Sequence, residues 1–178
     1  MRPIKITYDF SNFSSNNQNY KKVVEDHIIK LVDERLKNIV QIRGANEIPQ
    51  LDKSETCDNE IRMPEKYYTA ATPDVDLLIF FVNRKDELNY EAYAFPCLQN
   101  FDDGRPIVGI VAINETHFSS TPETIDNQAS TLVHEIIHIL AFSPALFPFF
   151  KNGNPVRDKT LETDGQKRVV KLLQGTNI

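Results

Sequence analysis

The feature that most constrains the fold of this 178-residue chain is the nearly unbroken run of apolar residues at positions 75–82. The run has the length of a strand, and continuous apolar character is typical of a strand that is buried on both faces of a sheet. We therefore predict a central strand here. Further strands are predicted at residues 4–8, 90–95 and 107–113, each bounded by polar or turn-forming residues.

Two helices are predicted on either side of this strand region. From Tyr20 onward, apolar residues recur at intervals of three and four, which predicts an amphipathic helix ending near Gly44. A second helix is predicted over residues 121–142, with Ser120 or Thr121 as its N-cap and Pro122 in its first turn. The polar residues 47–73 are expected to form a long connection with one short strand. Alternating strands and helices indicate an α+β domain with a helix-covered sheet.

Composition narrows the class of protein. Hydrophobic residues make up 40% of the chain and charged residues 25%, which is typical of one globular domain spanning 1–178. The net charge of -5, with no stripe of Lys or Arg, argues against nucleic-acid binding. No apolar stretch is long enough to cross a membrane, and the first five residues lack the apolar core of a signal peptide. Cys57 and Cys97 are too few for a disulfide framework and lack CxxC spacing.

The strongest functional signal is the motif His134-Glu135-Ile136-Ile137-His138 in the second predicted helix. Residues four apart share one helix face, so the two imidazoles can bind the same ion. The later half of this helix is apolar almost all round, so we expect a buried helix in which the three polar side chains need a specific role. The motif predicts that His134 and His138 bind zinc. A buried histidine pair without metal is the alternative.

Glu135 follows His134 directly, so its carboxylate is expected beside the ion and not bound to it. There it can accept a proton from a metal-bound water and pass it to a leaving amine. Zinc lowers the pKa of its bound water to about 7 and polarises the scissile carbonyl. The predicted activity is hydrolysis of peptide bonds in a peptide or protein substrate, with Glu135 as the catalytic residue.

Several segments, one of which contains the motif, resemble one family. They are Arg2-Pro3-Ile4-Lys5-Ile6, residues 74–80, residues 92–97, residues 104–109 and residues 134–143. In this order they resemble the N-terminal part of the catalytic domain of the leishmanolysin family, a branch of the metzincin-type zinc metallopeptidases. The resemblance implies a metzincin-like upper subdomain, in which a twisted mixed sheet is covered by an amphipathic helix and a buried zinc-site helix. It also suggests a secreted or cell-surface protein, for which a Cys57–Cys97 disulfide is then expected. Residues 90–94 would be the edge strand that lines the cleft.

The chain departs from the family pattern in two respects. Ala141 stands where the family has a glycine that ends the helix, so the exit of this helix is expected to be shifted or strained. The family's third zinc-binding histidine and its methionine turn lie further along, but this chain has no His after His138, and its methionines are Met1 and Met63. We therefore expect a fragment or truncated form of the catalytic domain.

These departures leave two further readings open. A truncated relative without activity could serve as a binding or adhesion module. Alternatively, an acidic residue after the helix, Asp158 or Glu162, could complete the zinc site. The missing half of the domain would also leave an apolar cluster uncovered. The residues of this cluster are Phe142, Leu146, Phe147, Phe149 and Phe150.

Overall fold

The structure is a computed structural model that describes residues 1–43, 47–57, 61–149, 156–163 and 166–173. Its centre is a four-stranded mixed sheet that consists of β2 (Ile6–Asp9), β6 (Leu77–Arg84), β7 (Ala92–Gln99) and β8 (Pro106–Asn114). The order of the strands in the sheet is β2-β6-β8-β7. The strands β2, β6 and β8 run parallel, whereas β7 is an antiparallel edge strand. The predicted α+β class with a mixed sheet is confirmed.

The predicted central strand is the core of the molecule. All eight residues of the 75–82 run are buried, and β6 lies between β2 and β8. Side chains of a strand alternate between its two faces, so Ile79 and Phe81 contact the helices while Phe80 and Val82 face the other side. On that other side lie residues of the connection, within 47–57 and 61–75. Burial on both faces therefore explains why the sequence shows no polar alternation here.

The first helical region consists of α1 (Gln18–Val23), a π-helical turn (Val24–Ile28) and α2 (Ile29–Ile39). The Asn17 side chain caps it by accepting a hydrogen bond from the Tyr20 N–H at 3.0 Å. The predicted end near Gly44 is wrong, and Gly44 itself lies outside the described residues. The helix ends at Ile39 because Val40 is extended and its carbonyl accepts the Ile4 N–H at 3.2 Å.

After α2 the chain forms short elements around the sheet. Strand β3 (Gln41–Ile42) pairs with β1 (Arg2–Pro3). The predicted long connection contains β4 (Glu47–Ile48) paired with β5 (Thr72–Pro73), and a four-residue helix, α3 (Lys66–Thr69). Further along, the hairpin of β9 (Val156–Thr163) and β10 (Gln166–Leu173) forms a separate two-stranded sheet.

A disulfide joins this connection to the edge of the sheet. Cys57 lies in the connection and Cys97 lies in β7, and their Cα atoms are 5.1 Å apart. Both residues pack against the apolar cluster on the side of the sheet that faces away from the helices. Near Cys97 the pairing of β7 with β8 shifts register, between Pro96 and Leu98 and again before Gln99. The bond therefore fixes the connection to an irregular part of β7.

Helix α4 (Ile125–Leu140) carries the predicted motif and packs on the same side as α2. Its start was predicted wrongly, because Thr124 and neither Ser120 nor Thr121 is the N-cap. The preceding residues form a turn in which the Thr124 N–H donates to the Thr121 carbonyl at 3.0 Å. Pro122 thus lies in this turn and not in the helix. In the described part of the chain, no helix has the length and apolar character needed to span a membrane.

Gly109 lets α4 lie close to the sheet. A Cβ atom placed on Gly109 would stand 2.5 Å from Cγ2 and 2.7 Å from Cδ1 of Ile139, well inside van der Waals contact. Ile139 is fully buried in the core between α4 and the sheet. Any side chain at position 109 must therefore push the helix away or distort Ile139.

The carboxylate of Asp76 joins three parts of the fold and is almost fully buried. Arg2 binds it through two hydrogen bonds of 2.6 and 2.7 Å, and the Lys5 backbone N–H donates at 2.9 Å. The Arg105 guanidinium lies 3.5 Å away. Burial by itself raises the pKa of Asp76, but the bonds from Arg2 and Lys5 and the positive charges outweigh it and lower the pKa below its usual 3.8.

We predict that Gly109→Ala destabilises the fold by about 1–3 kcal/mol because of overpacking against Ile139. Thermal melting should show a loss of several degrees. In the background of Ile139→Ala, which removes both crowding atoms, the same Gly109→Ala change should cost at least ~1 kcal/mol less. Equal costs in the two backgrounds would show that the close approach does not limit the packing of α4.

We also predict that Asp76→Asn lowers the free energy of unfolding by about 3 kcal/mol at neutral pH, since it leaves two arginines facing a neutral amide. A carboxylate with a lowered pKa stabilises the fold above its unfolded pKa, and this contribution disappears as the pH falls below about 4. Denaturant titrations should therefore show a smaller acid dependence in the variant than in the parent. Asp74→Asn is the matched control, because Asp74 pairs with Lys5 at the exposed surface. A similar loss in both variants would contradict the prediction.

Candidate functional site

The two histidines of α4 converge on one point. Their Nε2 atoms are 3.1 Å apart, and the ring centroids are separated by 4.8 Å with nearly perpendicular planes. His134 is exposed, while Glu135 and His138 are half-buried. The expectation of a helix buried all round is therefore wrong, because one face of α4 is open. The buried face is formed by Gln128, Ala129, Leu132, Ile136 and Ile139.

A backbone carbonyl orients His138. Its Nδ1 atom lies 3.1 Å from the carbonyl oxygen of Phe142. Because a carbonyl can only accept a hydrogen bond, Nδ1 carries the proton when this contact is made, and the lone pair of a neutral ring is then on Nε2. The atom that faces His134 is thus the one able to bind a metal ion, which is the usual arrangement of metal-binding histidines.

The exit of α4 explains how Phe142 reaches His138. Ala141 has φ -149° and ψ -46°, so it does not adopt the left-handed conformation that would favour glycine. Its N–H and that of Phe142 both donate to the carbonyl of Ile137, at 3.0 and 3.3 Å. The departure at Ala141 is therefore accommodated by a shifted exit with a negative φ.

Glu135 contacts the edge strand of the sheet. The backbone N–H of Ala94 in β7 lies close enough to its carboxylate to lower the carboxylate's pKa. Burial raises the pKa of Glu135, while the charges of His134 and His138 and the Ala94 N–H act in the opposite direction without cancelling the effect. A raised pKa makes the carboxylate a stronger base than a free glutamate.

The backbone N–H and carbonyl groups of Ala94 in β7 point away from the neighbouring strand β8. The Asn114 N–H donates to the Glu91 carbonyl at 2.8 Å, so Glu91 is bonded toward β8. In antiparallel pairing the residues alternate, so Ala92 and Ala94 direct their N–H and carbonyl groups outward. The predicted edge strand at residues 90–94 is thus part of an open sheet edge, whose observed strand begins at Ala92.

A second contact joins α4 to the start of β7. The hydroxyl of Thr131 donates to the carboxylate of Glu91 at 3.2 Å. Thr131 stands one turn before His134, so helical spacing could have identified it as a neighbour of the site. The partners Glu91, Ala94 and Phe142 were missed because they depend on how β7 and the helix exit are placed, which periodicity does not reveal.

The structure brings together His134 and His138, and Glu135 is near enough for their charges to lower its pKa; among the described side chains no other predicted ligand joins them. In the described part of the chain, no group of three or more His, Cys, Asp or Glu side chains is close enough to hold a metal. Asp158 and Glu162 lie on β9, and their side chains are outside the described part.

The apolar cluster after α4 is only partly open. Phe142 and Phe149 are more than half exposed, as expected, but Leu146 is only 2% exposed and belongs to the core. Phe149 covers Gly104, which has a φ of +68° in the turn before β8. Phe150 lies outside the described residues.

Comparisons with known proteins agree with the resemblance seen in the sequence. The family model described as leishmanolysin matches residues 18–173. The chain is 27% identical over 128 residues to leishmanolysin of Leishmania major, covering 72% of this chain and 20% of that protein. It is 36% identical over 74 residues to a leishmanolysin-like peptidase of Drosophila melanogaster, covering 40% of this chain and 11% of the relative.

A leishmanolysin-like peptidase of Caenorhabditis elegans is 38% identical over 62 residues, covering 35% of this chain. The chain therefore spans a fifth or less of the length of these curated relatives. The match of the family model nevertheless covers most of the chain, from α1 to the β9–β10 hairpin. This chain belongs to the leishmanolysin family of metallopeptidases.

Proposed function

We propose that this chain contributes a zinc-dependent metalloendopeptidase site, in which His134 and His138 bind the metal and Glu135 is the general base. The observation that carries the proposal is the convergence of the two Nε2 atoms beside a carboxylate that reaches the open edge of β7. Membership of a metallopeptidase family supports hydrolysis of proteins over the alternative of a binding or adhesion module.

The donor atoms fit the proposed metal. Two nitrogen ligands of a tetrahedral zinc, each at ~2.0–2.1 Å, are separated by about 3.3 Å. The observed separation of the two Nε2 atoms is 3.1 Å, so both rings already have nearly the required placement. The bond between His138 Nδ1 and the Phe142 carbonyl supports the same role, since it leaves Nε2 free to bind.

Zinc, when bound, would supply the Lewis acidity that activates a water molecule and polarises a peptide carbonyl. Glu135 would accept the proton of that water and later donate it to the leaving amine. Its half-buried position raises its pKa, which improves its strength as a base, although the nearby Ala94 N–H acts in the opposite direction.

The open edge of β7 offers a way to hold the substrate. An extended peptide can pair with the outward main-chain groups of Ala92 and with the Ala94 carbonyl as an added strand. Such pairing would bring a peptide bond next to α4, because Ala94 contacts Glu135. Side-chain specificity then depends on the surfaces that flank the edge strand.

Three protein ligands are usual for a catalytic zinc, so a further ligand is required. Asp158 and Glu162 remain candidates within this chain, and a segment found in the longer relatives is the other source. The activity of a complete enzyme is therefore part of the proposal, as is its choice of substrate.

We predict that any peptide-cleaving activity of this chain depends on Glu135. Glu135→Gln should lower the rate by about two orders of magnitude or more, because the bound water loses its base, while zinc binding stays unchanged. A fluorogenic peptide assay and metal analysis on the same samples provide the two readouts. Glu123→Gln removes a carboxylate from an exposed position before α4 and serves as the control. Equal activity of the Glu135 variant and the parent would assign the cleavage to another group.

We further predict that zinc binds in the micromolar range or weaker if His134 and His138 are its only protein ligands. Calorimetric titration should show a loss of at least ~tenfold in affinity for His134→Ala and for His138→Ala. His117→Ala should bind zinc as the parent does, because His117 is an exposed residue after β8. Tight stoichiometric binding would indicate a third ligand, which Asp158→Asn and Glu162→Gln would then locate. Unchanged affinity in both α4 variants would refute the site.

A further inference from the structure

A groove lies at the end of β7 opposite to Glu91, between the β7–β8 hairpin and the connection that begins at β4. It has a volume of about 620 Å³. Its apolar floor includes Leu51, Leu98 and Ile107, of which Leu51 and Ile107 are nearly fully buried. A second groove of about 450 Å³ continues from it past Leu98 and Phe101 toward Phe149.

Phe101 stands at the junction of the two grooves and lines both. It is 96% exposed at the tip of the β7–β8 hairpin. A large aromatic side chain in this position gains nothing from the protein's own core, but it can cover an apolar ligand or bind a cation on its ring face.

The rim of the groove is acidic. Four carboxylates line it, those of Glu47, Asp52, Glu55 and Asp102, and no Lys or Arg is among the described lining residues. In the described part of the chain none of the four forms a salt bridge, and the nearby Lys53 is paired with Glu65 instead. Asp52 accepts hydrogen bonds from Ser54, which lower its pKa and keep it ionised. Among the described residues, no basic side chain that lines the groove neutralises this negative charge.

The groove is distinct from the proposed catalytic site. Leu98 and Gln99 lie four and five residues along the chain from Ala94, which corresponds to about 13–17 Å at the rise of a strand. The bulge after Pro96 separates the two regions, because it interrupts the regular main-chain pattern of β7.

We propose that this groove binds a cationic, extended segment of a partner protein, in which basic side chains alternate with apolar ones. The apolar side chains would occupy the floor at Leu51, Leu98 and Ile107. The basic side chains would meet the rim carboxylates and the face of Phe101, with their aliphatic stems along the groove wall. The proposal concerns binding alone and does not depend on whether the chain hydrolyses peptides.

The test is a fluorescence-anisotropy titration with a labelled peptide that alternates arginine and leucine, compared with one that alternates glutamate and leucine. The basic peptide should bind at least ~tenfold more tightly, and raising the salt from about 0.05 to 0.5 M should weaken it. The double variant Glu55→Gln with Asp102→Asn should lose about three- to tenfold in affinity. Phe101→Ala should lose about fivefold, while Phe101→Tyr keeps the affinity of the parent.

Matched controls separate this site from general charge effects and from the catalytic site. The double variant Glu34→Gln with Glu123→Gln removes the same charge from other exposed surfaces and should bind the basic peptide as the parent does. Glu135→Gln should also bind it unchanged. Melting curves of all variants check that they fold.

Three outcomes would overturn the proposal. The first is equal binding of the basic and the acidic peptide. The second is equal loss of affinity in the groove variants and in the Glu34 and Glu123 control. The third is a concentration-dependent dimer that the groove variants abolish, because the groove would then be filled by a second copy of this chain.

Discussion

The ionised side chain of Asp76 is the constraint on which the rest of the structure depends. A buried carboxylate is tolerated only when charge and hydrogen bonds compensate for the loss of water, so Arg2, the Lys5 N–H and Arg105 must all be in place. Arg2 and Lys5 lie before β2, Asp76 directly precedes β6, and Arg105 directly precedes β8. These contacts join the residues before β2 to the start of β6, in the register in which Ile6 lies opposite Leu77.

Two contacts with this sheet determine the position of the site on α4. Gly109 in β8 allows Ile139 to approach, which sets the distance of α4 from the sheet. This distance places the carboxylate of Glu135 near the Ala94 N–H in β7. The two histidines are placed by their spacing within α4, which brings their Nε2 atoms together, and by the Phe142 carbonyl that contacts His138. The helix and the edge strand that meet at the site come from distant parts of the chain.

The features that could be predicted from the sequence are those that depend on a local pattern of residues. The apolar run at residues 75–82 and the spacing of His134 and His138 each reflect one element, and both predictions of placement agree with the structure. The start of α4 was missed because a turn held by Thr121 and Thr124 precedes it, and the end of α2 because Val40 bonds to Ile4. The open face of α4 was missed for a different reason. The apolar residues Val133, Ile137 and Leu140 suggested burial all round, but they are only partly buried, and the residues of α4 that are exposed are polar ones such as Ser130 and His134.

The irregular end of β7 has a consequence for how copies of this protein meet. A long, flat sheet edge with free main-chain groups is a template on which another copy can pair, and such pairing leads to aggregation. Pro96 has no N–H to offer, and the register shift after it twists the strand away from a flat edge. Only a short stretch around Ala92 and Ala94 stays regular, too short to hold two identical edges together. The strand can therefore bind an extended peptide transiently while it resists growth into fibres.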